Sequence, residues 1–260
     1  MSMLVNLSKH FDSHLNFTFT GAALWLLLLL ATSVVFAEGN NNHPDFSGYW
    51  TVRFEKQPSS QDMIDQLPKG AVMIDDAGAG ELGLNDFAGL KLSNKAQDEV
   101  RNYNYKDELK LQNTCVAPSV VFYMQAPFPI AIHQDAKYIF FQIEYFDLYR
   151  IIFMDGRKHP PADAPHSKSG HSIGHWEGDT LVVDTTHIES GTFMNNGLTH
   201  SDNIHMVERF RMSADGNTLW LTQVYDDPEV FSGLAARYMA WRKDPAGYIY
   251  PYDCDPSYGE

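Results

Sequence analysis

From residue 129 onward the chain is built of short apolar runs with a period of two. Residues 129–134, 137–146 and 148–154 are dense in Ile, Phe and Tyr, and 179–187, 203–212, 217–225 and 235–243 continue the series. Such composition favours strands over helices. Glu177-Gly178-Asp179 and Ala214-Asp215-Gly216-Asn217 supply hairpin turns between them. Earlier, Asp45-Phe46-Ser47-Gly48-Tyr49-Trp50-Thr51-Val52 reads as a turn into a first strand. The two hairpins beginning at Gly174 and Met212 look alike, a shared turn solution and not an internal repeat. Consecutive hairpins of this kind predict a mainly β fold: an antiparallel, lipocalin/calycin-like barrel.

Two segments break the pattern. Residues 93–112 carry good helix formers behind Ser93, a suitable N-cap, and predict one helix on the N-terminal side of the barrel. Residues 56–92 are rich in Gly, Pro, Asp and Gln without a sustained period, and predict a long surface loop.

Alternation assigns faces. Ile204, Met206, Glu208 and Phe210 share one face, leaving His205, Val207, Arg209 and Arg211 on the other. The same count groups Arg150 with Leu148, Ile152 and Met154, and Arg237 with Met239 and Trp241. Inward charges are costly unless paired. Glu208 therefore reads either as half of a structural ion pair with Arg150 or Arg237, or as part of a ligand cavity in which Arg237 and Trp241 contact the bound molecule.

The first residues differ from the rest. One basic residue, Lys9, precedes the apolar run 22–31, and Val35-Phe36-Ala37 matches a small-residue cleavage site. This is the layout of a secretory signal peptide over 1–37, with an uncleaved anchor as the competing reading. No twin arginine precedes the run. Residues 38–260 then form a single barrel-like domain in the periplasm or outside the cell. With 44% hydrophobic and 13% aromatic residues the chain has material for a full core. The formal charge of −14 argues against nucleic acid as a partner.

Export changes how the two cysteines read. Cys115 and Cys254 either pair in an oxidising compartment or remain as buried thiols. A bridge would close a loop long enough to contribute about 4 to 5 kcal/mol in the chain-entropy model.

Nine of the 11 histidines lie beyond residue 37, with His159, His166, His171, His175, His187 and His200 close together in sequence. A metal site built on His166, His171 and His175 is one reading. On an extended strand, however, His171 and His175 stand about 13 Å apart at roughly 3.3 Å per residue. A bulge at Gly174 would be needed to bring them together with Glu177. The other reading is proton transfer: His159, His171 and His200 titrate near neutrality, and Asp155-Gly156-Arg157-Lys158-His159 forms a loop directly after the strand that carries Arg150. No nucleophile elbow, P-loop, dinucleotide fingerprint or zinc-protease helix is present in the sequence.

The runs Cys115-x-Ala-Pro, Asp155-Gly156-Arg157-Lys158-His159-Pro160 and Gly170-His171-Ser172-Ile173-Gly174-His175-Trp176-Glu177-Gly178-Asp179-Thr180-Leu181-Val182-Val183-Asp184-Thr185 resemble a large, mostly uncharacterised family of exported bacterial proteins. The likeness spans about residues 45 to 254, including the His200-Ser201, Glu208-Arg209 and Asp226-Asp227-Pro228 elements. This chain departs from the group at His175, where a basic residue such as arginine is usual, and at His187, where an apolar or glycine-like residue is usual.

The sequence thus predicts an exported enzyme without an organic cofactor that performs acid/base chemistry on a small apolar or aromatic molecule. His171 or His159 would move the proton, with Glu208, Arg150 and Asp155 assisting and His200 near the ligand. The alternatives are a non-catalytic binding protein and a histidine-ligated metalloenzyme. Mass spectrometry of the exported protein should find Glu38 at the N-terminus. An intact Met1 would refute cleavage.

Overall fold

The structure is a computed structural model that describes residues 43–53, 61–74, 82–107, 110 and 115–259. The signal segment 1–37 lies outside the described residues. Fourteen strands are described: β1 (Gly48–Val52), β2 (Val72–Met73), β3 (Lys91–Leu92), β4 (Ile130–Gln134), β5 (Tyr138–Ile143), β6 (Leu148–Phe153), β7 (His171–Glu177), β8 (Thr180–Thr186), β9 (Gly191–Thr192), β10 (Thr199–His200), β11 (His205–Met212), β12 (Thr218–Asp226), β13 (Phe231–Ser232) and β14 (Leu234–Lys243). Nine of them, in the order β1-β4-β5-β6-β7-β8-β11-β12-β14, form one sheet. The sheet closes because Trp50 on β1 pairs with Ile130 of β4 on one side and with Lys243 of β14 on the other. Closure leaves no unpaired edge among these nine strands.

The alternation read from sequence sets the inside. Met206, Glu208 and Phe210 on β11 are buried while His205, Val207 and Arg209 are partly exposed. Their partners Leu221, Gln223 and Tyr225 on β12 are buried as well. Trp50, Phe141, Phe210 and Trp241 fill the centre.

Two departures from an all-antiparallel barrel matter. β6 and β7 run parallel, through Ile152↔Ser172 and Phe153↔Ile173, and β2 adds in parallel to β14. A parallel neighbour cannot be reached by a tight turn, so residues 154–170 form a crossover. Gly174 makes the join possible, because a Cβ there would lie 2.6 Å from Met154 Sδ and 2.8 Å from Ile152 Cγ2. The β7–β8 register runs unbroken through Gly174↔Val183, so no bulge brings His171 and His175 together.

The expectation of a surface loop over 56–92 needs correction. Helix α1 (Gln61–Asp65), β2 and β3 lie within it, and Met63, Ile74 and Leu90 are buried. These isolated apolar residues cover the barrel wall at spacings that show no period. The helix expected over 93–112 is α2 (Asn94–Asn102), capped by the Ser93 hydroxyl accepting from Ala96 N–H at 3.2 Å and ended at Tyr103, which is extended. A further short helix, α3 (Val120–Tyr123), is wholly buried. Among the described residues no helix is long and apolar enough to cross a membrane.

Cys115 and Cys254 form a disulfide across 139 positions of sequence. Nearby, Tyr250 N–H donates to Glu144 Oε2 at 2.9 Å and Tyr252 N–H to Asp147 Oδ1 at 3.1 Å, which seats the C-terminal segment on the β5–β6 connection.

The buried pair at the centre yields a stability prediction. Glu208→Gln leaves the Arg150 charge uncompensated and should cost about 3 to 5 kcal/mol in denaturant unfolding. Arg150→Met with Glu208→Leu, which removes both charges, should recover most of that loss.

Candidate functional site

Inside the barrel the charged residues form a closed network. The Arg150 guanidinium donates to both Glu208 carboxylate oxygens, from Nη1 at 3.1 Å and from Nη2. It also donates to Ser172 Oγ at 3.1 Å and Thr185 Oγ1 at 3.0 Å. Gln223 Nε2 donates to Glu208 Oε1 at 3.0 Å, and Tyr225 O–H donates to Gln223 Oε1 at 2.8 Å. Arg237 donates from Nη2 to the Phe193 carbonyl at 2.9 Å and lies over the Phe193 ring. Arg150, Glu208, Arg237 and Trp241 have essentially no exposed surface. The structure thus pairs Glu208 with Arg150 and not with Arg237, and puts both beyond contact with a molecule outside the barrel.

The outer face is different. The crossover after β6 folds over β7 and β8 and carries His159 with it. His159 Nε2 meets Asp184 Oδ1 at 2.8 Å, and His159 Nδ1 meets His171 Nδ1 at 3.0 Å. His205 Nε2 reaches the same Asp184 oxygen from the other side at 3.0 Å. The result is a line, His205–Asp184–His159–His171, whose members come from β11, β8, the crossover and β7. Each of the three strand residues points outward in the register that places Glu208, Val183 and Ser172 inward.

Its electrostatics are graded. The His205 contact, then His159, hold the Asp184 carboxyl below the usual carboxylate range despite partial burial. Asp184 in turn raises His205 above the ordinary histidine value of 6.5. His171 is pushed the other way, first by burial and then by the nearby His159 and Arg157. In the neutral state His159 donates from Nε2 to Asp184 and accepts from His171 Nδ1–H, which leaves His171 Nε2 as the basic atom. Phe153 stacks on the His171 ring at 5.3 Å, with Arg157 3.7 Å over Phe153.

Beside His205 lies a groove of about 310 Å³ walled mainly by Leu67, Pro68, Val207, Val224 and Leu234. It is a concave surface in which these apolar residues stand beside three ionisable ones, His205, Arg209 and Asp226, a mixture found in small-molecule sites.

The other expected site residues divide. Asp155 holds Arg157 through three side-chain contacts of 2.6–3.1 Å, and that guanidinium pulls its carboxyl down to about 2. It therefore positions Arg157 and carries no proton near neutrality. His175 is exposed and bonds Glu177 at 3.3 Å. His166 faces the His187 ring. His166, His171 and His175 are thus spread over separate contacts, and among the described residues no three His, Cys, Asp or Glu side chains are placed to hold an ion. His187 has φ +57, a conformation that glycine adopts freely and that histidine tolerates better than most residues. Its Nε2 meets the Pro161 carbonyl at 2.8 Å, tying the crossover to β8. His200 lies elsewhere, against Ser119 at 2.6 Å.

Sequence reasoning missed Asp184 and His205. Asp184 sits at an outward position between inward Val183 and Thr185, and His205 counts as outward on β11, so alternation alone marks neither of them.

No family model matches this chain, and a search of curated proteins returns no match.

The line makes a titration prediction. Asp184→Asn should move the His205 midpoint, followed by its ring proton resonances, down from above 6.5, and an unchanged midpoint would show that Asp184 is not its partner. In the wild type, His205 contributes stability that is present below 6.5 and lost as pH rises through its folded value. His171 contributes the opposite slope, losing stability as pH falls below 6.5.

Proposed function

We propose that the protein is an exported enzyme that needs no organic cofactor and performs a proton-transfer reaction, of lyase, isomerase or hydrolase type, on a small apolar or aromatic molecule. The observation that carries this reading is the hydrogen-bonded line itself, His205–Asp184–His159–His171, whose two ends sit in environments that shift their protonation in opposite directions. His205 is biased toward the protonated form and His171 toward the neutral form. Environments that push two titratable groups apart are how a single site supplies an acid and a base at one pH.

In this reading His171 Nε2 removes a proton and His205 donates one, while Asp184 and His159 orient them. His171 pairs with Thr186 of β8, and Met206, next to His205, pairs with Thr185, so the two histidines lie two strands apart, about 10 Å at roughly 4.8 Å per strand. The apolar body of the substrate occupies the groove beside His205. Arg150 and Glu208 hold the strands in register and do not touch the substrate. The resemblance to exported bacterial proteins agrees with this site, since His159, His171 and Asp184 all belong to its quoted runs.

The second reading is a carrier that binds inside a lipocalin-like barrel. It is favoured by Trp241 Nε1 and Gln125 Oε1, which are buried without a hydrogen-bond partner among the described residues.

The test is to release the small molecules held by the purified protein and return them to wild type, His171→Ala and His205→Ala. Turnover by wild type with a bell-shaped pH profile straddling 6.5, and a loss of about 100-fold or more in each variant, is the expected result. A compound recovered unaltered from all three would make the protein a carrier.

A further inference from the structure

The groove beside His205 has a floor whose chemistry follows from strand register. β11 and β12 run antiparallel, and their outward positions meet in three rows: His205 opposite Asp226, Val207 opposite Val224, and Arg209 opposite Thr222. Along β11 the first and third rows are four residues apart, about 13 Å at roughly 3.3 Å per residue. Leu234 of β14, opposite Asp226, adds an apolar wall at the first row. Leu67 and Pro68 face the floor from the segment between α1 and β2. The floor is thus polar at both ends and apolar in the middle. It is also open to a ligand, since His205, Val207, Arg209 and Val224 all keep exposed surface.

The two ends differ in charge. Arg209 lines the groove and donates from Nη1 to Glu177 Oε2 at 2.7 Å. Glu177 itself lies outside the groove wall, and its other oxygen meets His175 at 3.3 Å. That contact occupies one edge of the guanidinium and leaves the rest of the planar fork without a hydrogen bond among the described residues. A second carboxylate arriving from the groove can therefore engage it through charge-assisted bonds. At the opposite end, the bond to Asp184 and the nearby Asp226 charge raise His205 above the ordinary histidine value. Two carboxylates outweigh the one charge on the protonated ring, so this end repels an anion.

We propose that the groove binds an elongated carboxylic acid, with the carboxylate on Arg209, the apolar chain over Val207 and Val224, and the far end of the chain at His205. The proposal deepens the proton-transfer reading by naming its substrate class, and it rests on that reading for the chemistry at His205. Binding does not depend on that chemistry. The charge difference between the ends fixes the direction in which the acid lies, and the spacing of the rows fixes its length. A neutral molecule of the same shape fills the middle row equally well but gains nothing at Arg209. Arg209 is in this scheme the residue that selects an acid over its uncharged analogue.

The experiment titrates the full exported protein with decanoate and, separately, with decanol, and reads affinity from the shifts of labelled methyl groups. Wild type should bind the acid about tenfold more tightly than the alcohol, the worth of one charge-assisted contact. Arg209→Gln should erase that preference without changing the affinity for decanol. Glu177→Gln, which removes the competing carboxylate, should widen it. Both substitutions lie at the surface and should leave the melting temperature nearly unchanged, so the readings report the site and not the fold. Nuclear Overhauser contacts from the terminal methyl of decanoate should fall on Leu234, and those from the methylene beside its carboxylate on Thr222. His171→Ala should bind decanoate as wild type does, so an absence of turnover would count against the proton-transfer reading and not against this one. Equal affinity for acid and alcohol in wild type, a preference that survives Arg209→Gln, or a terminal methyl in contact with Thr222 would overturn the proposal.

Discussion

The parallel pairing of β6 with β7 is the constraint on which the rest of the site depends. An antiparallel neighbour would be joined by a few residues at the barrel rim, and nothing would cross the outer wall. A parallel neighbour cannot be joined by a tight turn; here the last residues of β6 pair with the first residues of β7, and residues 154–170 loop out and return over β7 and β8. That return path brings His159 within hydrogen-bond distance of Asp184 and His171. Gly174 admits the pairing by leaving room for Ile152 and Met154.

Inside and outside the wall, polar groups play opposite parts. The Arg150–Glu208 pair is enclosed and held by Ser172, Thr185 and Gln223 from neighbouring strands. Such a pair adds little net stability over an apolar filling, but it is intolerant of losing one member, and it fixes which strands lie side by side. The outer line is partly exposed and graded in proton affinity, with His205 raised and His171 lowered. Side chains of alternating positions on the same strands serve both: Ser172 beside His171, Thr185 beside Asp184, Glu208 between outward Val207 and Arg209.

Much of the barrel was legible because period-two alternation is a direct record of which face is buried. Glu208, Arg150 and Arg237 were placed inward by counting alone, and Cys115 and Cys254 form the bridge that an oxidising compartment favours. What alternation cannot carry is strand direction: a parallel and an antiparallel neighbour have the same pattern, so the crossover and the position of His159 were hidden. The segment 56–92 was read as a surface loop for a related reason, since Met63, Ile74 and Leu90 are single buried residues and leave no period. Asp184 and His205 were passed over because a polar residue on an outward face is ordinary until a loop is known to cover it.

We propose that ligand chemistry takes place on the outer wall and not in the barrel interior. The most direct measurement is to record intermolecular nuclear Overhauser contacts between methyl-labelled protein and a panel of small phenols and aromatic acids. Contacts to Val207 and Val224, beside His205, are the predicted result. Contacts to Leu181, Val183 and Met206, which point inward, would contradict the account and return the ligand to the interior.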